Sequence, residues 1–295
     1  MGALDRRAFL QLGAAGTLLS SLSPVRADPA VQTPGFGLGL VTYNVAANWD
    51  LKTLLGVCKS VGIAAVEFRT THKHGVEPTL TREQRKDVKK RCADAGVVPW
   101  GCGTTCEFQA PDSKVVNAQI ETCKRFIDLV ADIGGHGVKV RPNGLPAGVP
   151  VPRTLEQIGK SLIPCGQAAD NAGVEIWVEV HGRGTAEPEH MKTIMETCNH
   201  KKVGICWNSN AQDLSKGSVA PAFQMLSHWL LSCHINDLWK DSAGVYPYRE
   251  LFGLLRKHGY DRYTLCEVGR IRPDPTLGAD WLRYYKALWQ ELSRG

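Results

Sequence analysis

The sequence contains no C-x-x-C pair, no unbroken apolar run of membrane-spanning length, no glycine-rich phosphate loop and no basic stripe. Each absence removes a class of protein. Without C-x-x-C there is no signature of a zinc ribbon or a dithiol redox site. A membrane-spanning helix needs about 20 consecutive apolar residues, and the apolar run that ends at Leu22 is interrupted by Gln11, Gly13 and Gly16. With no phosphate loop after the first predicted strand, an open dinucleotide-binding sheet is disfavoured. The net charge of +6 is spread over 295 residues without clustering, which is not the footprint of a nucleic-acid binder. Hydrophobic residues at 43% and charged residues at 22% are globular values, and the length suits one large domain.

What is present begins with Asp5-Arg6-Arg7-Ala8-Phe9-Leu10, continues through the short apolar run, and reaches Val25-Arg26-Ala27. Paired arginines, a modest apolar stretch and a small-residue cleavage site are expected to form an export signal over residues 1–27. The Arg-Arg-x-Phe-Leu string resembles a twin-arginine signal, so a periplasmic protein exported already folded is expected. Removing that segment leaves 32 basic and 28 acidic residues, and the charge falls to +4. Ten cysteines in an exported chain invite a disulfide framework. Their positions argue otherwise: Cys58, Cys92, Cys123, Cys165 and Cys198 fall in predicted helices, and Cys206, Cys233 and Cys266 in predicted strands. Buried free thiols act as small hydrophobes. Cys102 and Cys106, which flank a loop, are the expected exception.

From residue 28 to 295 short apolar runs alternate with longer helical patterns. Strands are predicted at 37–45, 64–69, 97–103, 137–141, 174–181, 203–208, 231–237 and 263–269. Eight alternating β and α units argue for a closed (β/α)8 barrel in a single domain. Thr81-Arg82-Glu83-Gln84 and Thr154-Leu155-Glu156-Gln157 read as capping boxes opening helices. Gly62, Gly96 and Gly173 fall where helices end and a left-handed residue is needed.

Catalytic groups of such barrels sit at the carboxyl ends of the strands. The last four predicted strands finish on Val178-Glu179-Val180-His181, Cys206-Trp207-Asn208-Ser209-Asn210, His234-Ile235-Asn236-Asp237 and Cys266-Glu267-Val268-Gly269. Side chains alternate along a strand. Glu179 and His181 therefore share one side, and Cys206 shares the inner side with Asn208, while Cys233 and Cys266 face the helices. A buried carboxylate must be paired, protonated or metal-bound. Two carboxylates, an imidazole and an amide at one point suit a divalent cation.

That ordered series of strand ends resembles the xylose-isomerase-like sugar isomerase and epimerase superfamily over the whole chain after the signal. The resemblance implies a Mn, Mg, Co or Zn ion held by Glu179, Asn208, His234 and Glu267. Asn208 departs from the family's usual Asp and offers a neutral carbonyl oxygen instead. Glu179, Glu267 and His181 are the expected proton-transfer groups. Lys139 and Arg141, on one side of the fourth strand, and Glu67, on the same side of the second as Arg69, are candidates for substrate contact. The alternatives are a solvated loop charge for Lys139 and a buried Glu67–Arg69 ion pair. Trp49, Trp100 and Trp239 could stack on a sugar face. Asp237 is expected either to orient His234 or to cap the loop, and His72 and His74 read as surface residues. The expected chemistry is proton abstraction alpha to a sugar carbonyl, giving isomerisation or epimerisation. A keto-sugar or glycoside lyase on the same site and a non-catalytic carbohydrate-binding protein are the alternatives. The expected partner is a small carbohydrate, with no nucleic acid and no membrane span after signal removal; a homo-oligomer is left open.

Overall fold

The computed structural model describes residues 35–269, 271 and 273–294; the export-signal reading of residues 1–27 lies outside them. Eight parallel strands close into a barrel, each hydrogen-bonded to the next and β8 returning to β1. They are β1 (Gly37–Val41), β2 (Ala65–Arg69), β3 (Val98–Gly103), β4 (Gly137–Val140), β5 (Glu175–Glu179), β6 (Val203–Trp207), β7 (Leu230–Ile235) and β8 (Tyr263–Cys266). The helices are α1 (Leu51–Val61), α2 (Arg82–Ala95), α3 (Ser113–Ile133), α4 (Val151–Ala172), α5 (Pro188–Cys198), α6 (Ala220–Leu226), α7 (Tyr248–His258) and α8 (Pro275–Ser293).

Local chemistry explains the boundaries. Asp50 accepts the Thr53 amide to open α1, and Thr81 with Gln84 forms the expected capping box of α2. Gly62, Gly96 and Gly173 close α1, α2 and α4 at φ near +70°. The fourth helix departs from expectation. It starts at Val151, with proline in its first turn, so Thr154 is a buried helical residue and not a cap. Proline's fixed φ favours that first turn, and it has no amide there to satisfy. The predicted β2 and β3 end where expected, at Arg69 and Gly103, whereas the other six strands were expected one to four residues too far at their carboxyl ends, because the chain leaves the ladder where its side chains turn to the mouth.

Two apolar layers result. Between sheet and helices lies the large core, which includes Cys233 and Cys266; inside the barrel Val41, Ala65, Trp100, Trp177, Cys206 and Leu265 pack together. The inner and outer assignments of these cysteines follow the expected alternation. All ten cysteines are buried and free, Cys102 and Cys106 included. The inner floor is two indoles, Trp100 and Trp177, stacked 5.1 Å apart at 21°. Glycine makes the room: a Cβ on Gly137 would lie 2.3 Å from the Trp177 ring.

Candidate active site at the carboxyl ends of the strands

Above the Trp177 floor, inward-facing side chains form a charged layer. Glu179 ends β5, Asn208 and Glu267 follow β6 and β8 directly, and His234, Glu67 and Lys139 come from β7, β2 and β4. His234 lies between two carboxylates, with Nδ1 3.1 Å from Glu267 Oε2 and Nε2 3.0 Å from Glu67 Oε2. Its Nδ1 is also 3.8 Å from Glu179 Oε1. Lys139 Nζ donates to Glu179 Oε2 at 2.6 Å, and both side chains are only 3% exposed. Glu67 has room because strand β3 carries Gly103 beside it, where a Cβ would lie 2.6 Å from Glu67 Oε1.

The charges hold one another in place. Burial by itself raises the Glu179 pKa, but Lys139 and His234 together hold it well below the usual carboxylate range. Burial likewise works against the Lys139 ammonium, and Glu179, Glu267 and Glu67 outweigh it, so Lys139 titrates above its ordinary value. Burial would lower the His234 pKa, and its neighbours Cys206, Glu267 and Glu67 raise it well above normal. The carboxylates carry that effect, because burial pushes the Cys206 thiol up and leaves it uncharged.

A divalent cation fits these residues. One ligand atom each from Glu179, His234 and Glu267 lies within 4.8 Å of the others. Asn208 donates a long 3.4 Å contact from Nδ2 to Glu179 Oε1, while its buried Oδ1 has no partner. A carbonyl oxygen without a donor beside two carboxylates and an imidazole is a ligand set for a hard or borderline cation. With His234 Nδ1 as ligand, Nε2–H would donate to Glu67, the carboxylate–histidine arrangement that orients metal-bound imidazoles.

The other candidates divide by position. Lys139 is no solvated loop charge but a buried partner of Glu179. Glu67 pairs with His234 and not with Arg69, whose guanidinium donates to the Thr70 carbonyl. His181 is half-buried two residues beyond Glu179, and its Nδ1 is buried without a partner. Arg141, partly exposed at the end of β4, directs Nε and Nη2 to Glu107 Oε1 at 3.1 and 3.0 Å. Trp239 is 54% exposed on the short turn Leu238–Lys240 after β7.

Four expectations need correction. Trp100 stands at the amino end of the barrel, against His136 and Tyr263, and cannot stack on a ligand at the other mouth. Trp49 is buried and donates to the Pro273 carbonyl. Asp237 pairs with Lys240 at 3.7 Å, and the group that orients His234 is Glu67. His74 is also buried, bound to the Arg69 carbonyl and the Val76 amide, so it organises the loop after β2. Sequence reasoning missed the Lys139–Glu179 and Glu67–His234 pairs; the available signal was the shared inward parity of these four residues, with Gly103 leaving space beside Glu67.

Among the described residues no helix is long and apolar enough to cross a membrane. No curated protein sequence matches the chain. Solved structures do. A 3-keto-D-glucoside 4-epimerase from E. coli is 17% identical, with TM-score 0.69 over 84% of this chain and 99% of its own. A D-psicose 3-epimerase determined with D-fructose is 13% identical, with TM-score 0.72 over 88% and 100%. The IolI protein with a bound zinc is 18% identical, with TM-score 0.72 over 87% and 98%. At these identities the likeness establishes the fold. The family model for the xylose isomerase-like TIM barrel matches residues 55–287, and with the closed eight-stranded barrel this makes the chain a member of that family.

Proposed function

We propose that the protein is a metal-assisted carbohydrate isomerase or epimerase that removes a proton alpha to the carbonyl of a sugar or keto-sugar. The observation that carries this reading is the convergence of Glu179, His234 and Glu267 within 4.8 Å beside the unpartnered Asn208 Oδ1. Glu179, Asn208, His234 and Glu267 would hold a divalent cation, which would supply Lewis acidity to polarise a substrate carbonyl. Glu267 is the base: it is the most exposed of the three carboxylates, its side chain 14% accessible against 0% for Glu67 and 3% for Glu179. Its Oε2 rests on His234, leaving Oε1 for a carbon-bound proton. His181, with Nδ1 free one layer nearer the mouth, carries a proton to or from a substrate oxygen. Trp177, Cys206 and Leu265 form the apolar floor beneath these groups.

Carbohydrate chemistry is supported by the neighbouring structures, two of which are sugar epimerases and one of which holds zinc. Export of the chain belongs to the same proposal, and makes free sugars, keto-sugars or glycosides fitting substrates. The test is exchange of carbon-bound hydrogen in deuterated water with Mn2+ and a 3-keto-D-glucoside, followed by NMR. Exchange above the enzyme-free rate, lost in Glu267→Gln, is expected. Exchange no faster than the blank, or full exchange in that variant, would sink the assignment. Glu179→Gln is the less clean variant, because it strands the buried Lys139 ammonium.

A further inference from the structure

Lys139 is the one group in the charged layer that the proposed chemistry does not need. Its ammonium is buried, ion-paired at 2.6 Å, and flanked by three carboxylates, with Glu179, Glu267 and Glu67 all acting on it. A buried ammonium is costly unless opposing charge is close and well aligned. This one sits on the strand next to Glu179 and takes Oε2, leaving Oε1 as the oxygen that faces Asn208 and His234.

The charge balance of the layer is informative. Glu67, Glu179 and Glu267 bring three negative charges. With His234 protonated and Lys139 charged the layer retains one net negative charge. With a divalent cation on the Nδ1 side of a neutral His234 it becomes neutral, but only because Lys139 is there. A fourth carboxylate at position 208 would leave that balance one unit negative, and the chain has the neutral Asn208 there.

We propose that Lys139 is a built-in monovalent cation that shares Glu179 with the divalent ion. It acts as a positioning residue, restricting Glu179 to one ligand oxygen. It keeps the carboxylates assembled when the ion is absent, and it weakens the ion's binding by repulsion. The inference rests on the metal-site reading of the preceding subsection.

The test is calorimetric titration of the full-length protein with Mn2+ alone, comparing wild type with Lys139→Met and Lys139→Gln, together with melting curves of the metal-free proteins. Removing one positive charge beside a divalent cation at effective dielectric constants near 20 is expected to tighten Mn2+ binding by about tenfold or more. The metal-free melting temperature is expected to fall. A merely structural lysine would give the opposite sign, since a damaged site binds metal more weakly. Equal or weaker binding in the folded variants overturns the proposal and leaves the metal-site reading standing. No Mn2+ binding in wild type or variants overturns both. If the Met variant does not fold, the Gln variant, which keeps a donor to Glu179, decides. If neither folds alone, both should fold with millimolar Mn2+ replacing the lost charge; failure there overturns the proposal.

Discussion

The two ends of the barrel are built from similar residues and differ in whether those residues satisfy one another. Strand β5 supplies both, with Glu175, Trp177 and Glu179 on successive inward layers. At the amino end Glu175 takes Arg262 on both oxygens, at 2.7 and 3.0 Å, and accepts Trp177 Nε1 at 2.8 Å. Trp100 Nε1 finds Ser232, and the Arg262 guanidinium lies 6.0 Å from the Trp100 ring centre. A cavity of about 640 Å3 opens there, yet Glu175 and Arg262 in its lining are committed to each other. At the carboxyl end Glu67 Oε1, Asn208 Oδ1 and His181 Nδ1 are buried and unmatched. Unmatched buried polar atoms cost stability, so their concentration at one end, more than cavity size, marks where a ligand belongs.

The contrast can be broken by substitution. The largest effect is expected for Glu267→Gln, which should lower hydrogen exchange by about 10³-fold, within the range of general-base catalysis, while shifting the urea midpoint little. Trp177→Ala should do the reverse, costing about 3–5 kcal/mol of stability and leaving exchange per folded molecule within a few-fold; equal loss of exchange would mean the floor is part of the site. A smaller effect separates two buried titrating groups outside the charged layer. Asp213 is pushed up to about 7 by burial, against hydrogen bonds from the Asn210 amide and Tyr246 that lower it. Its raised value gives stability that is present below pH 3.8 and lost as pH rises to about 7. His74 is pushed down to about 4 by burial, and its stability is present above pH 6.5 and lost as pH falls through about 4. The two slopes oppose each other in between. Asp213→Asn should therefore expose the His74 slope, making stability at about pH 5 lower than at about pH 7 by on the order of 2 kcal/mol more than in wild type. Denaturation at both pH values checks this, and an unchanged difference refutes it. The smallest effect on stability belongs to Trp239→Ala, within about 0.5 kcal/mol for an exposed side chain. A KM raised several-fold with unchanged kcat is the expected signature of lost stacking.

Much of this arrangement is legible from residue order alone. Eight apolar runs place the strands, and two-residue alternation puts Cys206 inside and Cys233 and Cys266 outside. What alternation cannot supply is height along the barrel axis and the partner across it. Trp100 faces inward, but it is the extra residue where β2 and β3 shift register, Val66 pairing with Pro99 and Glu67 with Gly101. Its distance from the mouth depends on that bulge. Glu67 and His234 are 167 residues apart, and only barrel closure brings them to 3.0 Å. Asp237 looked the nearer partner for His234, yet the chain turns after Ile235 and carries Asp237 onto Lys240. The export signal of residues 1–27 lies outside the described residues and stays a proposal.

The ten buried thiols also form a set of built-in reporters. They run from Cys58 in α1 and Cys92 in α2, through Cys123, Cys165 and Cys198 in the middle helices, to Cys233 and Cys266 in the last two strands. A thiol reagent can reach each one only when its own stretch of the wall opens. Labelling rates read residue by residue would therefore chart whether the barrel comes apart as one body or sector by sector, with no engineered probe.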